Sequence, residues 1–504
     1  MTLHPTPTPI PYQRIGILFL VAAIVLLAIG LAAGTPFFVG RGGERGGPAH
    51  REAPAHVEPP AAHGETAQAP GAGYDFVPPV FSVVPFAAIL LAIAIFPLVP
   101  ALSGFWESNR NKLLVSAVLG GPVAFYIWQH DPTRVLHTGL EYSQFLALLT
   151  ALFIVAGGIH LTGNLEATPR VNTTFLAVGY VLASIIGTTG AAMVLIYPLL
   201  RTNTERRHKA HTVIFFIFLV CNIGGLLTPL GDPPLFLGYL RGIEFFWFMK
   251  LLPLWAALGV VLLGAYFALD VYYHAREPRV AVKRDIEHEE GVRLIGVLNV
   301  VLLMAIVGSV AASVETPYRE AVMAGAAGLS LSYAHASRVA RRARDRNHFS
   351  LHAILEVAAV FAGIFAAMMP ALILLNTRGA ALGVDQPLEF FYATGLFSSF
   401  LDNAPTFLVF LELALGVTGI REAGGLQVGQ AAAILGAISA GAVCMGANTY
   451  IGNAPNFMVR SIAEQRHVKM PSFFGYMVWA LVILIPAFSV TAVVFFKLLP
   501  FPLW

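Results

Sequence analysis

Cysteine is almost missing from this chain, with Cys221 and Cys444 the only two in 504 residues. Both sit inside apolar segments, so neither a disulfide framework nor a metal-ligand spacing is available, and both read as small core residues. Charge is scarce too, at 12% of residues with a formal net charge of +3. No Lys/Arg-rich groove with interleaved aromatics appears, which argues against nucleic acid as a partner. Apolar surface fills the gap: 57% of residues are hydrophobic. A soluble fold cannot hide that much apolar area, whereas a bilayer accepts it. The chain reads as a membrane protein.

The first apolar stretch, residues 15–34, follows Arg14. It exceeds the roughly 7–15 residues of a signal-peptide core, so residues 1–39 read as a retained N-terminal transmembrane helix, a signal anchor. Residues 40–78 change character, rich in Gly, Pro, Ala and Glu with His50, His56 and His63 interspersed. Nothing there can bury a core, so the segment reads as a disordered external linker with solvated histidines.

Residues 79–270 then form a first membrane repeat. Apolar segments at 80–102, 113–128 and 143–162 lead to a stretch at 174–201 interrupted by Gly187-Thr188-Thr189-Gly190. Each half of that stretch is shorter than the ~20 residues of a span. Its flanks are basic on both sides (Arg170, then Arg201, Arg206, Arg207 and Lys209). Both ends therefore face the cytoplasm, and a re-entrant hairpin is expected. The next segment, 211–240, is broken by Thr228-Pro229-Leu230-Gly231-Asp232-Pro233-Pro234. Proline removes a backbone donor and clashes with the preceding turn, so the helix is discontinuous there. Such backbone survives at membrane depth only where protein or a water-filled cavity satisfies it. A final segment, 252–270, leads into a cytoplasmic connecting loop, 271–292.

Residues 293–504 repeat the plan. Segments at 294–314, 321–334 and 351–375 precede a hairpin interrupted at Asp402-Asn403-Ala404-Pro405, whose flanks lack basic clusters. A segment broken between Asn448 and Asn456 follows, and then 473–496. The arginines from Arg338 to Arg346, together with Arg460, Arg466 and Lys469, mark cytoplasmic ends. The expected fold is an all-α polytopic membrane protein of two inverted-topology repeats, each with a re-entrant hairpin and a discontinuous helix, and about 11 spans. The N-terminus is expected in the cytoplasm and the C-terminus in the periplasm of a bacterial-type inner membrane.

The duplication is visible in the letters. At one constant offset Gly225 matches Gly446, Thr228 matches Thr449, Leu230 matches Ile451 and Gly231 matches Gly452. Asp232 then matches Asn453, Pro234 matches Pro455, and Phe236 matches Phe457. The hairpins align less closely, through Ser184 with Ser399, Gly187 with Asp402 and Thr188 with Asn403. Gly/Pro-rich stretches often match by accident, but an ordered match that includes Thr and an acid/amide pair is much harder to obtain by chance. Internal symmetry of this kind points to the binding site.

The pieces Ser398-Ser399-Phe400-Leu401-Asp402-Asn403-Ala404-Pro405-Thr406 and Gly231-Asp232-Pro233-Pro234 resemble the ion transporter superfamily. Within it the chain is similar to NhaD-type sodium/proton antiporters and their citrate-transporter-like relatives, from about residue 80 to the C-terminus. The resemblance implies that hairpin tips and helix breaks form a central site, and that one part moves as a transport domain against a scaffold. It is also compatible with a homodimer. Dicarboxylate members carry Ser-Asn-Thr at both tips; here the first tip is Gly187-Thr188-Thr189-Gly190 and the second carries Asp402, which weighs against a carboxylate substrate.

The oxygen inventory suits a hard cation such as Na⁺. Asp402, Asn403 and Thr406 offer side-chain oxygens at one tip, and Thr188 and Thr189 at the other. Asp232 and Thr228 offer them at one break, and Asn448, Thr449 and Asn453 at the second. No lysine or arginine lies inside these elements. The expected activity is sodium/proton antiport by alternating access, with Na⁺ and H⁺ competing at Asp402 and Asp232 and no cofactor. Helix capping is the plain alternative role for both aspartates. His160, placed within a span, and Glu356 are weaker candidates for proton relay or pH sensing, each equally readable as a core group. Glu141 and Glu166 lie near span ends.

Other classes fit less well. Transport of citrate, a dicarboxylate or arsenite is the runner-up. An intramembrane aspartyl protease would explain Leu230-Gly231-Asp232 but not its partner Asn453. The polar run Glu287-His288-Glu289-Glu290 lacks the second histidine of a zinc protease. A helical channel would not need two opposed hairpins.

Overall fold

The computed structural model describes residues 12–33, 76–97, 99–278, 290–499 and 501. Residues 34–75 of the linker, with its three histidines, and 279–289 of the connecting loop lie outside them.

The chain is helical almost throughout. A lone N-terminal helix α1 (Tyr12–Ala33) precedes α2 (Val84–Ile95), α3 (Pro100–Trp106), α4 (Asn109–His130) and α5 (Pro132–Ala156). The strand β1 (His160–Asn164) leads to the first hairpin, α6 (Pro169–Ile186) and α7 (Thr188–Thr202). A broken helix α8 (Ala210–Leu219) and α9 (Pro233–Leu240) follows, and α10 (Leu252–His274) closes this half. The strand β2 (Glu290–Ile295) opens the second half, with α11 (Val297–Ala311), α12 (Tyr318–Ala336), the short basic α13 (Arg338–Arg346) and α14 (His352–Arg378). The second hairpin is α15 (Pro387–Phe400) and α16 (Asn403–Thr418). The second broken helix is α17 (Ala431–Met445) and α18 (Ala454–Gln465), and α19 (Phe473–Val493) ends the half.

Eight helices among the described residues are long and apolar enough to cross a bilayer, or nine if the bent pair α2–α3 counts as one span. One of the eight, α6, is a hairpin arm. The sequence reading counts more spans because α1, α11 and α12 also occupy span positions. Of these, α11 has only 15 residues and α12 carries Arg319 and Glu320. The apolar run 80–102 is not one helix, since Pro97 and Pro100 interrupt it. The extra helix α1 docks on α12 through small residues: a Cβ on Gly328 would sit 2.9 Å from Gly16 O. Close backbone approach through small residues is how helices associate in lipid.

Burial separates the central helices from those facing lipid. In α8, Val213 to Leu219 are at most 1% exposed, and α17 is buried along its length. By contrast Val260 on α10 and Phe474 on α19 are about three-quarters exposed. An exposed apolar side chain at such a position suits acyl chains. Helices α8 and α17 and the breaks that follow them are therefore enclosed by protein, which lets the unwound backbone persist.

The two hairpins enter from opposite ends. At the start of α8, His211 meets Asp270 at 2.8 Å, and Asp270 also accepts from Asn172 of α6 at 3.2 Å. At the end of α9, Arg241 pairs with Glu412 of α16 and, at 3.1 Å, with Glu141 of α5. The base of the first hairpin thus lies at one end of this broken helix, and the base of the second at the other. Glu141, placed near an interface by sequence, is instead 7% exposed and part of a buried ion triad.

The basic loops do share one face. Tyr197 near the end of α7 approaches both the His348 ring, at 5.5 Å, and Arg466 after α18, at 5.7 Å. On this face β1 and β2 form a two-stranded antiparallel ribbon, pairing His160 with Ile295 and Thr162 with Arg293. The ribbon corrects the placement of His160: α5 ends at Ala156, and His160 lies beyond the span. Its Nδ1 sits 2.6 Å from Asn347 Oδ1, while Asn347 Nδ2 donates to Gly157 O and Ile159 O. The amide therefore presents its oxygen, and His160 donates from Nδ1. Burial lowers the imidazole's proton affinity below its ordinary value, opposed by the Asn347 bond and reinforced by Arg201 and Arg346. His160 thus ties the ribbon to Asn347 at the foot of α13.

Candidate functional site

The site grows from two places where the backbone cannot stay helical. In the first break the chain leaves α8 at Leu219, makes a 3-10 turn from Ile223 to Leu227, and restarts at Pro233. The second leaves α17 at Met445, turns from Gly446 to Asn448, and restarts at Ala454. In each, the matched glycines touch: a Cβ on Gly231 would lie 2.0 Å from Gly225 O, and one on Gly452 would lie 2.5 Å from Gly446 O. The repeated Gly-x5-Gly spacing is thus a steric requirement for folding the break back on itself.

Each break is then tied to its own hairpin in the same way. Thr228 donates to Ser184 O, and Thr449 donates to Ser399 O. Ser184 donates to Gly224 O, and Ser399 donates to Met445 O at 3.2 Å, the equivalent position one repeat later. Leu227 N donates to Ser184 Oγ at 3.2 Å, and Asn448 Nδ2 to Ser399 Oγ at 2.9 Å. The hydroxyl protons of Thr228 and Thr449 are spent on this clamp, so both residues serve first as anchors. Gly187, at φ +83°, makes the first hairpin turn, and Thr188 N donates to Gly231 O at 2.8 Å.

All four elements meet at Asp232, which is 1% exposed. Its Oδ1 accepts from Thr188 Oγ1 at 2.9 Å and from Asn453 Nδ2 at 3.1 Å, and its Oδ2 accepts from Asn403 Nδ2. One carboxylate therefore joins the first tip, its own break, the second tip and the second break. The repeats are also stitched by Asn222 Nδ2 to Asn456 Oδ1 at 2.8 Å and by Asn453 Nδ2 to Cys221 O at 3.0 Å. No lysine, arginine or histidine pairs with Asp232 among the described residues. A carboxylate charge with only neutral donors is poorly compensated, and a cation or a proton would balance it.

Acceptor oxygens stand ready nearby. Asn403 Oδ1, Asn448 Oδ1 and Asn222 Oδ1 are buried with no donor among the described residues. Unpaired buried acceptors are costly, and a hard cation favours such oxygens. Asp402 precedes Asn403 and caps α16, accepting from Ala404 N at 3.1 Å. Its second oxygen makes no hydrogen bond among the described residues, so the capping role leaves half the carboxylate available. Thr406 Oγ1 donates back to Asp402 O at 2.9 Å, keeping a lone pair. Thr189, half-buried at the first tip, makes no side-chain hydrogen bond among the described residues.

The sequence reading missed Ser184, Ser399, Asn222 and Asn456 as site residues. The matched serines carried a signal through the repeat; Asn222, a single amide closing an apolar run, carried none. Glu356 lies apart from Asp232's partners and pairs with Lys112 at 2.6 Å, between α14 and α4. Lys112 is buried and Glu356 is half exposed, so the pair places a countercharge beside a buried ammonium.

Residues 77–496 match the family model CitMHS_2, described as "Putative citrate transport". No curated protein matches the chain. With matched hairpins and breaks spanning the same residues, the chain belongs to the CitMHS_2 citrate-transport family and is a multi-pass membrane protein of the secondary-transporter type.

Proposed function

We propose that the chain exchanges Na⁺ for H⁺ by alternating access, with both ions competing for the carboxylates of Asp232 and Asp402. The observation that carries this reading is the buried Asp232, held by donors from all four elements and paired with no basic side chain. Ionised, it accepts the Asn403 amide N–H. Protonated, it can donate instead to Asn403 Oδ1 after rotation of the amide, since that oxygen has no other donor. The same residue thus serves the proton-loaded and the cation-loaded states. By the positive-inside rule the face carrying Arg344 and Arg466 is cytoplasmic.

Citrate is the second reading, favoured by the family description and by four helix N-termini (α7, α9, α16 and α18) that begin at the site. Helix N-termini attract anions. Citrate carries several negative charges, however, and the site already holds Asp232 and Asp402 without a guanidinium or ammonium partner.

Proteoliposomes separate the two. The expected result is a change in lumenal pH driven by an imposed Na⁺ gradient, with no accumulation of labelled citrate. Citrate uptake without Na⁺-driven proton movement would overturn the antiport reading and leave the family assignment intact.

A further inference from the structure

We propose that a slot on the basic face, between the first hairpin and the ribbon, binds an anionic glycerophospholipid. The cavity has a volume of about 340 Å³. Leu161 of β1, Val292 of β2, Leu195 of α7 and Phe175 and Val178 of α6 line it. Arg170, exposed at the start of α6, lines its charged end. The α6 wall is one helical face, because Val171, Thr174, Phe175 and Val178 recur at the spacing that brings side chains onto one side. From Arg170 to Val178 the slot runs about 12 Å along the helix.

A charged end on an apolar channel matches an amphiphile. Arg170 is exposed and forms no ion pair among the described residues. A guanidinium suits phosphate, which it can bind through two parallel hydrogen bonds. The apolar lining also continues outside the slot. Val178, Val181 and Ile185 are 46%, 49% and 37% exposed along the same flank of α6, so the channel opens sideways onto a lipid-facing surface. That continuity selects a membrane lipid over a soluble anion, which would gain nothing from the apolar wall. Its acyl chain would lie along Phe175 and Val178 with its phosphate at Arg170, wedged between hairpin and ribbon. The proposal does not depend on which ion the central site carries.

The full chain, reconstituted in nanodiscs of phosphatidylcholine with a minor share of phosphatidylglycerol, is extracted gently and weighed by native mass spectrometry. Phosphatidylglycerol is expected to remain bound through delipidation. Arg170→Gln should lower its retention about fivefold, the worth of one basic contact. Val178→Trp, which fills the channel from an exposed position, should lower it by about tenfold through lost chain burial. Arg421→Gln, removing an exposed charge beyond α16 at the base of the second hairpin, on the opposite face, should change nothing. Inorganic phosphate should not displace the lipid. Equal retention by wild type, Arg170→Gln and Val178→Trp would overturn the proposal, as would displacement by phosphate alone or retention of phosphatidylcholine in preference.

Discussion

Asp232→Asn should abolish Na⁺-driven proton movement, by on the order of 100-fold or more, because under the proposed exchange it removes the group the ions compete for rather than a supporting contact. The substitution keeps the shape but replaces an acceptor-only carboxylate with a group that must also donate. Thr188, Asn403 and Asn453 all point donors at this position, so the new amide N–H is accommodated only if Asn403 turns to present its Oδ1, the same rotation that the protonated acid uses. The charge that would hold a cation is lost with it. The folded protein should still elute as a single species, since three neutral partners tolerate a neutral amide better than an uncompensated charge. Asp402→Asn should act in the same direction with less damage to structure, because Asn caps α16 about as well as Asp. Proton flux in proteoliposomes, normalised to inserted protein, measures both. Antiport at the wild-type rate in Asp232→Asn would remove this residue from the mechanism.

Gly231→Ala should be the most damaging small substitution for stability. Its Cβ would overlap Gly225 O at 2.0 Å, and the backbone cannot retreat, since Gly231 O also accepts from Thr188 N. A clash against fixed backbone on both sides is expected to cost about 3 kcal/mol or more. Gly452→Ala, with its Cβ 2.5 Å from Gly446 O, should behave alike, whereas Gly264→Ala on α10 meets nothing within 4 Å. Thermal unfolding in detergent tests the set. Gly231→Ala should melt far below wild type and Gly264→Ala beside it. Equal melting of all three would mean that the breaks are not packed as described.

These two residues also mark what the sequence made legible. Gly231-Asp232 and Gly452-Asn453 were readable because steric need and site chemistry fall on the same short string, and the string occurs twice. Asn403 was readable through its neighbours Asp402 and Pro405. The ties that hold the site were less readable, since Thr228 to Ser184 and Asn222 to Asn456 join residues far apart in the chain. Whether a threonine hydroxyl faces an ion or a carbonyl depends on such contacts. The apolar run 143–162 gave little sign that the helix ends at Ala156, because Gly157-Gly158-Ile159 carries the apolar character on up to the strand. His160 was misplaced for that reason. The ion pair of Glu356 was not legible because Lys112, its partner, lies in the other half of the molecule.

Under the proposed exchange, opposed hairpins and broken helices converge on a carboxylate whose missing positive charge is supplied in turn by Na⁺ and H⁺. Equilibrium binding of radioactive Na⁺ to the purified protein, measured across a pH series, tests it most directly. The account predicts saturable binding that weakens as pH falls and vanishes in Asp232→Asn. Sodium binding that is indifferent to pH, or undiminished in that variant, would contradict it.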